Sequence, residues 1–153
     1  MALADLTGPF KQRLHQAVDL LLFNPPYVPS PPGEVGGPRL SAAWAGGERG
    51  RQVLDRLLPC LPGLLAPRGA AYLVAVPAND VPQLLDHLAL LGLPAEVCLT
   101  RVADEERLMV IRAFKPEHPP SLGVAVDLGE VGKKDSSGSQ HALLPATSDL
   151  GGV

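Results

Sequence analysis

Short apolar runs alternate with proline- and glycine-rich segments along the first 115 residues of the chain. The first clear run, Val18–Phe23, is almost continuous and ends at two consecutive prolines, which cannot donate hydrogen bonds to a sheet. Such a run predicts a strand that is buried on both faces, as in a parallel sheet. A second apolar run, residues 70–76, follows a turn at residues 67–69 and predicts another strand.

Two helices are predicted in the segments that follow these strands. Apolar residues at three- and four-residue spacing predict a helix over residues 48–65, which two prolines kink or end near Leu58. The second helix is expected to begin at a cap on Asn79 or Asp80 and to end at Gly92. Both helices present leucines on one face, which predicts that they pack on the sheet.

The last two apolar runs, residues 95–101 and 108–114, flank the polar residues 104–106 and predict an antiparallel hairpin. The order strand, helix, strand, helix, strand, strand is that of an α/β fold with a hairpin at one end of the sheet. Because the apolar periodicity then stops, we predict one domain over residues 1–115 and a disordered tail over residues 116–153.

Composition and charge exclude several classes of protein. The net charge of −3 gives no excess of Lys and Arg for a duplex-binding surface, so a nucleic acid partner is not expected. Cys60 and Cys98 lie far apart in apolar surroundings and, like the four histidines, lack metal-ligand spacing, which predicts buried thiols and no metal site. Since no run resembles a secretory signal or a membrane span, we expect a cytoplasmic or nuclear protein with no membrane partner.

The tetrapeptide Asn24-Pro25-Pro26-Tyr27 directly follows the first strand, and ligands of open α/β sheets bind beyond the carboxyl ends of strands. An amide nitrogen is a poor nucleophile because its lone pair is delocalised, so a catalyst must orient it. The Asn24 side chain and the Pro25 backbone carbonyl can each accept one N–H bond, and Tyr27 can stack on the flat group. The same residues also fit a proline-rich strand exit in which Asn24 is a turn former.

Two features of the following segment allow alternative interpretations. Trp44 is either a loop anchor packed in the core or a wall of the substrate groove. The glycines within residues 46–50 follow a loop and not a strand, so we interpret them as the turn into the next helix and not as a nucleotide cradle.

Residues 18–28 resemble motif IV of the amino methyltransferases, and residues 42–51 narrow the resemblance to the HemK family, in particular to its eukaryotic glutamine methyltransferases. The resemblance covers about residues 4–115. It implies a Rossmann-like class I methyltransferase sheet of seven strands with an antiparallel strand near one edge, of which this chain holds the C-terminal part and lacks the N-terminal strands. Because Val18–Phe23 is central in that sheet, we expect its apolar edge to be exposed here.

The resemblance also implies a cofactor and site residues. S-adenosylmethionine is the family's methyl donor, and the active-site motif falls on Asn24, Pro25, Pro26 and Tyr27. Asp5 and Leu6 match a pair whose acidic member contacts the adenine of the cofactor, and Asn24 links the cofactor and substrate sites. The family's glycine-rich cofactor loop lies upstream of Asp5 and is not in this sequence, so the chain is expected to be inactive alone.

The implied reaction is methyl transfer to a glutamine side-chain amide of the translation termination factor and, in some family members, to a histone lysine. The family's small zinc-binding activator subunit docks mainly on the half that is absent here, so this partnership is not expected to be retained. Two other functions stay open, a non-catalytic binding fragment and a DNA adenine N6-methyltransferase, which would use the same tetrapeptide on a flipped base. The acidic pI disfavours the latter.

Overall fold

A computed structural model describes residues 6–37, 40–103 and 106–117. One four-stranded sheet is formed by β1 (Val18–Phe23), β2 (Leu65–Ala75), β3 (Ala95–Ala103) and β4 (Glu106–Phe114). The helices are α1 (Gln52–Leu57), α2 (Leu61–Leu64) and α3 (Val81–Leu90). Short 3-10 turns occupy Gly8–Phe10, Pro32–Glu34, Leu40–Ala43, Glu48–Gly50, Leu58–Cys60 and Pro77–Asn79.

The strands are arranged in the order β1-β2-β4-β3. The neighbours β1 and β2 run parallel, whereas β4 is antiparallel to both β2 and β3. The predicted α/β class and the predicted C-terminal hairpin are therefore confirmed. Because β1 and β2 are parallel, their carboxyl ends lie at the same edge of the sheet, and the segments that follow them are brought together there.

The hydrophobic core lies on one face of the sheet. Alternate residues of β2, such as Leu73, are buried against leucines of the helices, such as Leu54 and Leu84. Side chains of β1 that alternate with the core residues are solvent-exposed, and Leu20 and Leu22 are 57% and 71% exposed. The prediction that this strand is buried on both faces is therefore wrong. The prediction that one edge of the strand is exposed is confirmed, because β1 is an edge strand of the described sheet.

The predicted helix over residues 48–65 is shorter and interrupted in the structure. Its first residues form the 3-10 turn Glu48–Gly50, and regular helix begins at Gln52. The break over Leu58–Cys60 contains Pro59, which lacks an N–H for the helix, so the predicted kink near residue 58 is confirmed. The chain then leaves the helical conformation at Leu65 and enters β2 directly.

Strand β2 begins at Leu65, earlier than predicted, because the expected turn at residues 67–69 is an irregularity within the strand. Val18 pairs with Leu65, yet Leu20 pairs with Ala70, so extra residues of β2 bulge out of the ladder. Arg68 lies in the left-handed region at φ 67°, which explains why the local sequence has the character of a turn.

Several predictions fall partly or wholly outside the described residues. The tail predicted over residues 116–153 lies outside them except for Pro116 and Glu117, as do residues 104 and 105 of the hairpin turn. Of the two cysteines, Cys60 is half-buried and Cys98 is exposed on β3, so the prediction of two buried thiols is wrong. Within the described ranges, no helix has the length and apolar character that would be needed to cross a membrane.

Candidate functional site

The tetrapeptide lies at the carboxyl edge of the sheet, directly after the last paired residue of β1. Phe23 still pairs with Leu73 of β2, and the chain leaves the sheet at Asn24. The Asn24 side chain is exposed, Pro25 is buried, and the next two residues are half-buried. Successive prolines restrict the backbone here, so the exposed Asn24 side chain stands on a rigid segment.

A second segment, residues 44–47, is hydrogen-bonded to Val28 and Ser30, which follow the tetrapeptide in the chain. Val28 donates its N–H to the carbonyl of Trp44 at 3.0 Å, and Gly46 donates to the carbonyl of Val28 at 2.8 Å. Ser30 adds two bonds to Gly47, one from its backbone N–H and one to its hydroxyl oxygen, both at 3.0 Å. The exit of β1 is thereby joined to a segment that lies about 17 residues further along the chain.

The glycines of residues 46–50 are required because backbone approaches backbone closely. A Cβ atom on Gly46 would lie 2.5 Å from the carbonyl oxygen of Pro26, and one on Gly50 would lie 1.8 Å from that of Tyr27. Gly46 also accepts the N–H of Gln52, the first residue of α1, so these glycines form the predicted turn into the helix. A Cβ atom on Gly47 would instead meet the side chain of Gln52, at 2.4 Å, so all three positions are closely packed.

Asn79 is a site residue whose role the sequence does not indicate. The sequence makes it a candidate helix cap, but Asp80 is the cap of α3, and the Asn79 side chain is fully buried. Its Oδ1 accepts the N–H of Val76, and its Nδ2 donates to the carbonyls of Tyr27 and Arg49, each at 2.8 Å. The signal that could have indicated it is its position, shortly after the carboxyl end of the parallel strand β2.

The hydrogen-bond acceptors expected to serve a substrate have no partner among the described residues. In residues 6–37, 40–103 and 106–117, no hydrogen bond reaches the Asn24 side chain or the Pro25 carbonyl oxygen. Asn24 borders a shallow, largely apolar groove on the exposed side of the sheet, which is lined by Leu22, Phe23, Tyr72, Val74 and Val110. The Asn24 side-chain carbonyl, at the rim of this groove, can accept an N–H bond from a flat amide group.

The other predicted site residues are placed differently. Asp5 lies outside the described residues, so its contact with a cofactor stays a prediction. Leu6 lines a surface groove with residues of α1 and the turn after it, and no residue of the tetrapeptide lines that groove. Trp44 is 44% exposed, so it is not packed in the core, and the alternative that it forms a wall of the substrate groove stays a prediction.

In the part of the chain that the structure describes, no three His, Cys, Asp or Glu side chains are grouped as metal ligands would be. The chemistry of this edge of the sheet is therefore that of hydrogen-bond acceptors and an aromatic ring. The parallel β1–β2 pair, the antiparallel hairpin beside it and an Asn-Pro-Pro-Tyr segment at the end of β1 define part of a class I methyltransferase sheet.

Comparison with known proteins narrows this class. The chain is 45% identical over 113 residues to the human protein Methyltransferase HEMK2, a match that covers 74% of this chain and 53% of that protein. The catalytic subunit mtq2 of the eRF1 methyltransferase from Schizosaccharomyces pombe is 36% identical over 105 residues, covering 67% of this chain and 46% of that protein. The chain belongs to the HemK family of methyltransferases, and it spans about half the length of these curated relatives.

A solved structure supports the same assignment at the level of the fold. The E. cuniculi Mtq2–Trm112 complex, described as responsible for methylation of the translation termination factor eRF1, matches with a TM-score of 0.59 at 29% identity. The match covers 74% of this chain and 60% of that one, which agrees with a partial methyltransferase sheet. No protein-family model matches the chain.

Proposed function

We propose that this chain carries the substrate-amide site of a protein glutamine methyltransferase that acts on the translation termination factor. The observation that carries the proposal is a pair of acceptors, the Asn24 side chain and the Pro25 carbonyl, on a rigid segment at the carboxyl edge of the sheet. Neither accepts a hydrogen bond from the part of the chain that the structure describes. The names of the relatives support it, since one is an eRF1 methyltransferase subunit and another a putative protein N5-glutamine methyltransferase.

The two acceptors act on the glutamine amide by orientation. Each accepts one N–H bond of the planar amide, so the nitrogen is held in a single plane with its remaining face open. Tyr27 packs on that plane from the other side and excludes water. When bound, the family's donor would supply the methyl group by breaking a sulfonium S–C bond and leaving as a neutral thioether, and the methylated nitrogen would release one proton to solvent. The carbonyl dipoles of Asn24 and Pro25 stabilise the positive charge that builds up on the nitrogen before that proton leaves.

The family implies S-adenosylmethionine as the methyl donor, but the described residues do not form a cradle for it. The tetrapeptide backbone lies against Gly46 and Gly50, and the Gln52 side chain lies against Gly47. Leu6 lines a different groove from Asn24. We therefore assign donor binding to the part of the family's domain that has no counterpart in the matched residues. The 153-residue chain is expected to bind the acceptor amide but not to transfer a methyl group alone.

The proposal is tested first by nuclear magnetic resonance on this chain. A glutamine-containing peptide is titrated in, and the same peptide with glutamate in place of glutamine is the control. Signals of residues 24–28 and 44–47 should shift with the glutamine peptide, and Asn24→Ala should weaken its binding at least tenfold. Equal binding of the glutamate peptide, or no effect of Asn24→Ala, would contradict an amide-specific site.

Methyl transfer itself is tested in a chimera in which residues 6–117 replace the matched residues of human HEMK2. Transfer of a labelled methyl group to a glutamine protein substrate is expected from the chimera and not from its Asn24→Ala variant. A chimera that is folded and binds the donor but never methylates glutamine would favour the second candidate, a non-catalytic binding fragment. That candidate rests on the close packing around Gly46, Gly47 and Gly50, which leaves no room for a side chain at these positions. Transfer to adenine in DNA would instead support the third candidate, a DNA adenine N6-methyltransferase.

The activator subunit and the histone lysine acceptor stay predictions from the family resemblance. The solved relative was determined as a complex with Trm112, which is a property of that protein. The chimera also tests where the activator binds. Added activator is expected to stabilise the chimera more than it stabilises the isolated chain.

A further inference from the structure

The side chain of Asn79 bonds three separate segments of the backbone. It accepts the N–H of Val76 in its own turn, and it donates to the carbonyls of Tyr27 and Arg49, which lie 52 and 30 residues away in the chain. All three bonds are 2.8 Å long, and the side chain is 0% exposed. Both amide protons are thereby used, so no rotated amide would satisfy the same three groups.

Two of the bonded segments have backbone conformations that need external support. Arg49 lies in the left-handed region at φ 53°, and Asp80, directly after Asn79, lies there at φ 54°. A left-handed residue other than glycine is strained, and it persists where neighbouring contacts determine it. The bond from Asn79 to the Arg49 carbonyl is such a contact, since it fixes the strained residue that precedes Gly50.

The bond to Tyr27 fixes the far end of the tetrapeptide. At the near end, Phe23 is fixed by its pairing with Leu73 in β2, and Asn79 follows the same strand. Only three residues separate these two anchors, and two of them are prolines whose φ angles are restricted. The directions of the Asn24 side chain and the Pro25 carbonyl therefore depend on where Asn79 places the Tyr27 carbonyl.

We propose that Asn79 is a positioning residue of the acceptor site, which sets the conformation of residues 24–27 without touching the substrate. Its buried side chain is bonded wholly to protein groups, so it acts through the tetrapeptide. That the positioned acceptors serve a glutamine amide rests on the function proposed above. The control of the tetrapeptide conformation by Asn79 does not rest on it. The two statements can therefore fail separately.

The test compares Asn79→Asp with Lys115→Met in the full 153-residue chain. Asn79→Asp keeps the size and the acceptor for Val76 but turns a carboxylate oxygen towards two carbonyl oxygens. Lys115 is the matched control, because its Nζ donates to two backbone carbonyls, at 2.8 and 3.0 Å, at the other end of β2. Lys115→Met therefore removes a similar number of bonds far from the tetrapeptide.

Amide hydrogen exchange is the readout that a general loss of stability would not reproduce. The Val28 and Gly46 amides bond the residue after the tetrapeptide to residues 44–47. Asn79→Asp should accelerate their exchange at least tenfold more than that of the Leu73 amide in β2. Lys115→Met should change these three amides by similar factors. If Asn79→Asp also changes all three alike, Asn79 is merely structural and the proposal is overturned.

Two further measurements keep the outcomes distinct. In the wild-type chain the side-chain amide protons of Asn79 should exchange slowly, and fast exchange would overturn the proposal even if the variant does not fold. Affinity for the glutamine peptide should fall at least tenfold in Asn79→Asp and less than twofold in Lys115→Met. A wild-type chain that does not distinguish glutamine from glutamate, with the exchange pattern as expected, would refute the proposed function and leave the role of Asn79 in place.

Discussion

Gly50 is the position at which the structure makes its most quantitative prediction. Its φ is +67°, and a Cβ atom added there would lie 1.8 Å from the Tyr27 carbonyl oxygen and 2.7 Å from the Asn79 Nδ2. Ordinary contact begins at 3.4 Å, so in Gly50→Ala the Tyr27 carbonyl must move by about 1.6 Å. A shift of that size breaks its 2.8 Å bond from Asn79.

The expected cost has two parts, and Gly92→Ala isolates the first. Gly92 has a similar φ of +76°, but no atom lies within 4 Å of the position that a methyl group would occupy there. An alanine at this position is expected to cost about 1–2 kcal/mol of unfolding free energy, because it must adopt the left-handed conformation. Gly50→Ala should cost about 1–3 kcal/mol more, because a partly buried donor loses its acceptor and the tetrapeptide is displaced.

Urea unfolding followed by circular dichroism measures both variants, and Trp44 supplies a local probe. It is the chain's single tryptophan, and its carbonyl bonds Val28 beside the tetrapeptide. We expect Gly50→Ala to shift the tryptophan emission in the absence of urea and Gly92→Ala to leave it unchanged. Equal losses of stability in the two variants, with the same emission, would refute the close approach of residue 50 to Tyr27.

Two other predictions concern charge and the exposed edge. Arg51→Met should lower the unfolding free energy measured in urea by about 1–2 kcal/mol, because the buried guanidinium bonds both Asp55 and Gln83. Arg112→Met, which removes an exposed ion pair, should lower it by less than about 0.5 kcal/mol. Equal losses in the two variants would contradict this difference. Leu22→Lys should change stability by less than about 0.5 kcal/mol, since the side chain is 71% exposed, and should raise the monomer fraction measured by light scattering. Unchanged self-association in that variant would show that the edge of β1 does not drive it.

The elements that the sequence predicts well are those fixed by local pattern. The bounds of β1 are correct because a proline pair ends the strand, and the hairpin is correct because two apolar runs flank a polar turn. The start of β2 is wrong because the residues of its bulge have turn character, and only pairing with β1 draws them into the strand. Pairing across the sheet is not visible in a single segment.

The same distinction divides the candidate site. Asn24 and Pro25 are recognisable from a tetrapeptide, since their chemistry and their position after a strand belong to adjacent residues. The roles of Asn79 and Gly50 depend on three segments that meet in space, and in sequence both residues have ordinary explanations, a helix cap and a turn. The predicted burial of β1 is wrong for a related reason, because burial depends on which elements lie beside the strand and not on its own composition.

The geometry of the site also separates orientation from binding. The proposed acceptors lie on residues 24 and 25, at the point where the chain leaves the sheet. The bond proposed to fix their directions is made by Tyr27, two residues after Pro25 and half-buried. Rigid prolines transmit the position of one end to the other, so substitutions at Asn79 or Gly50 should alter the orientation of the bound amide more than its contact area. In an active enzyme built on this unit, Asn79→Asp should therefore lower kcat by a larger factor than the loss of peptide affinity expected above. Asn24→Ala should affect binding and transfer alike, because it removes a contact that we propose the amide makes both before and during transfer.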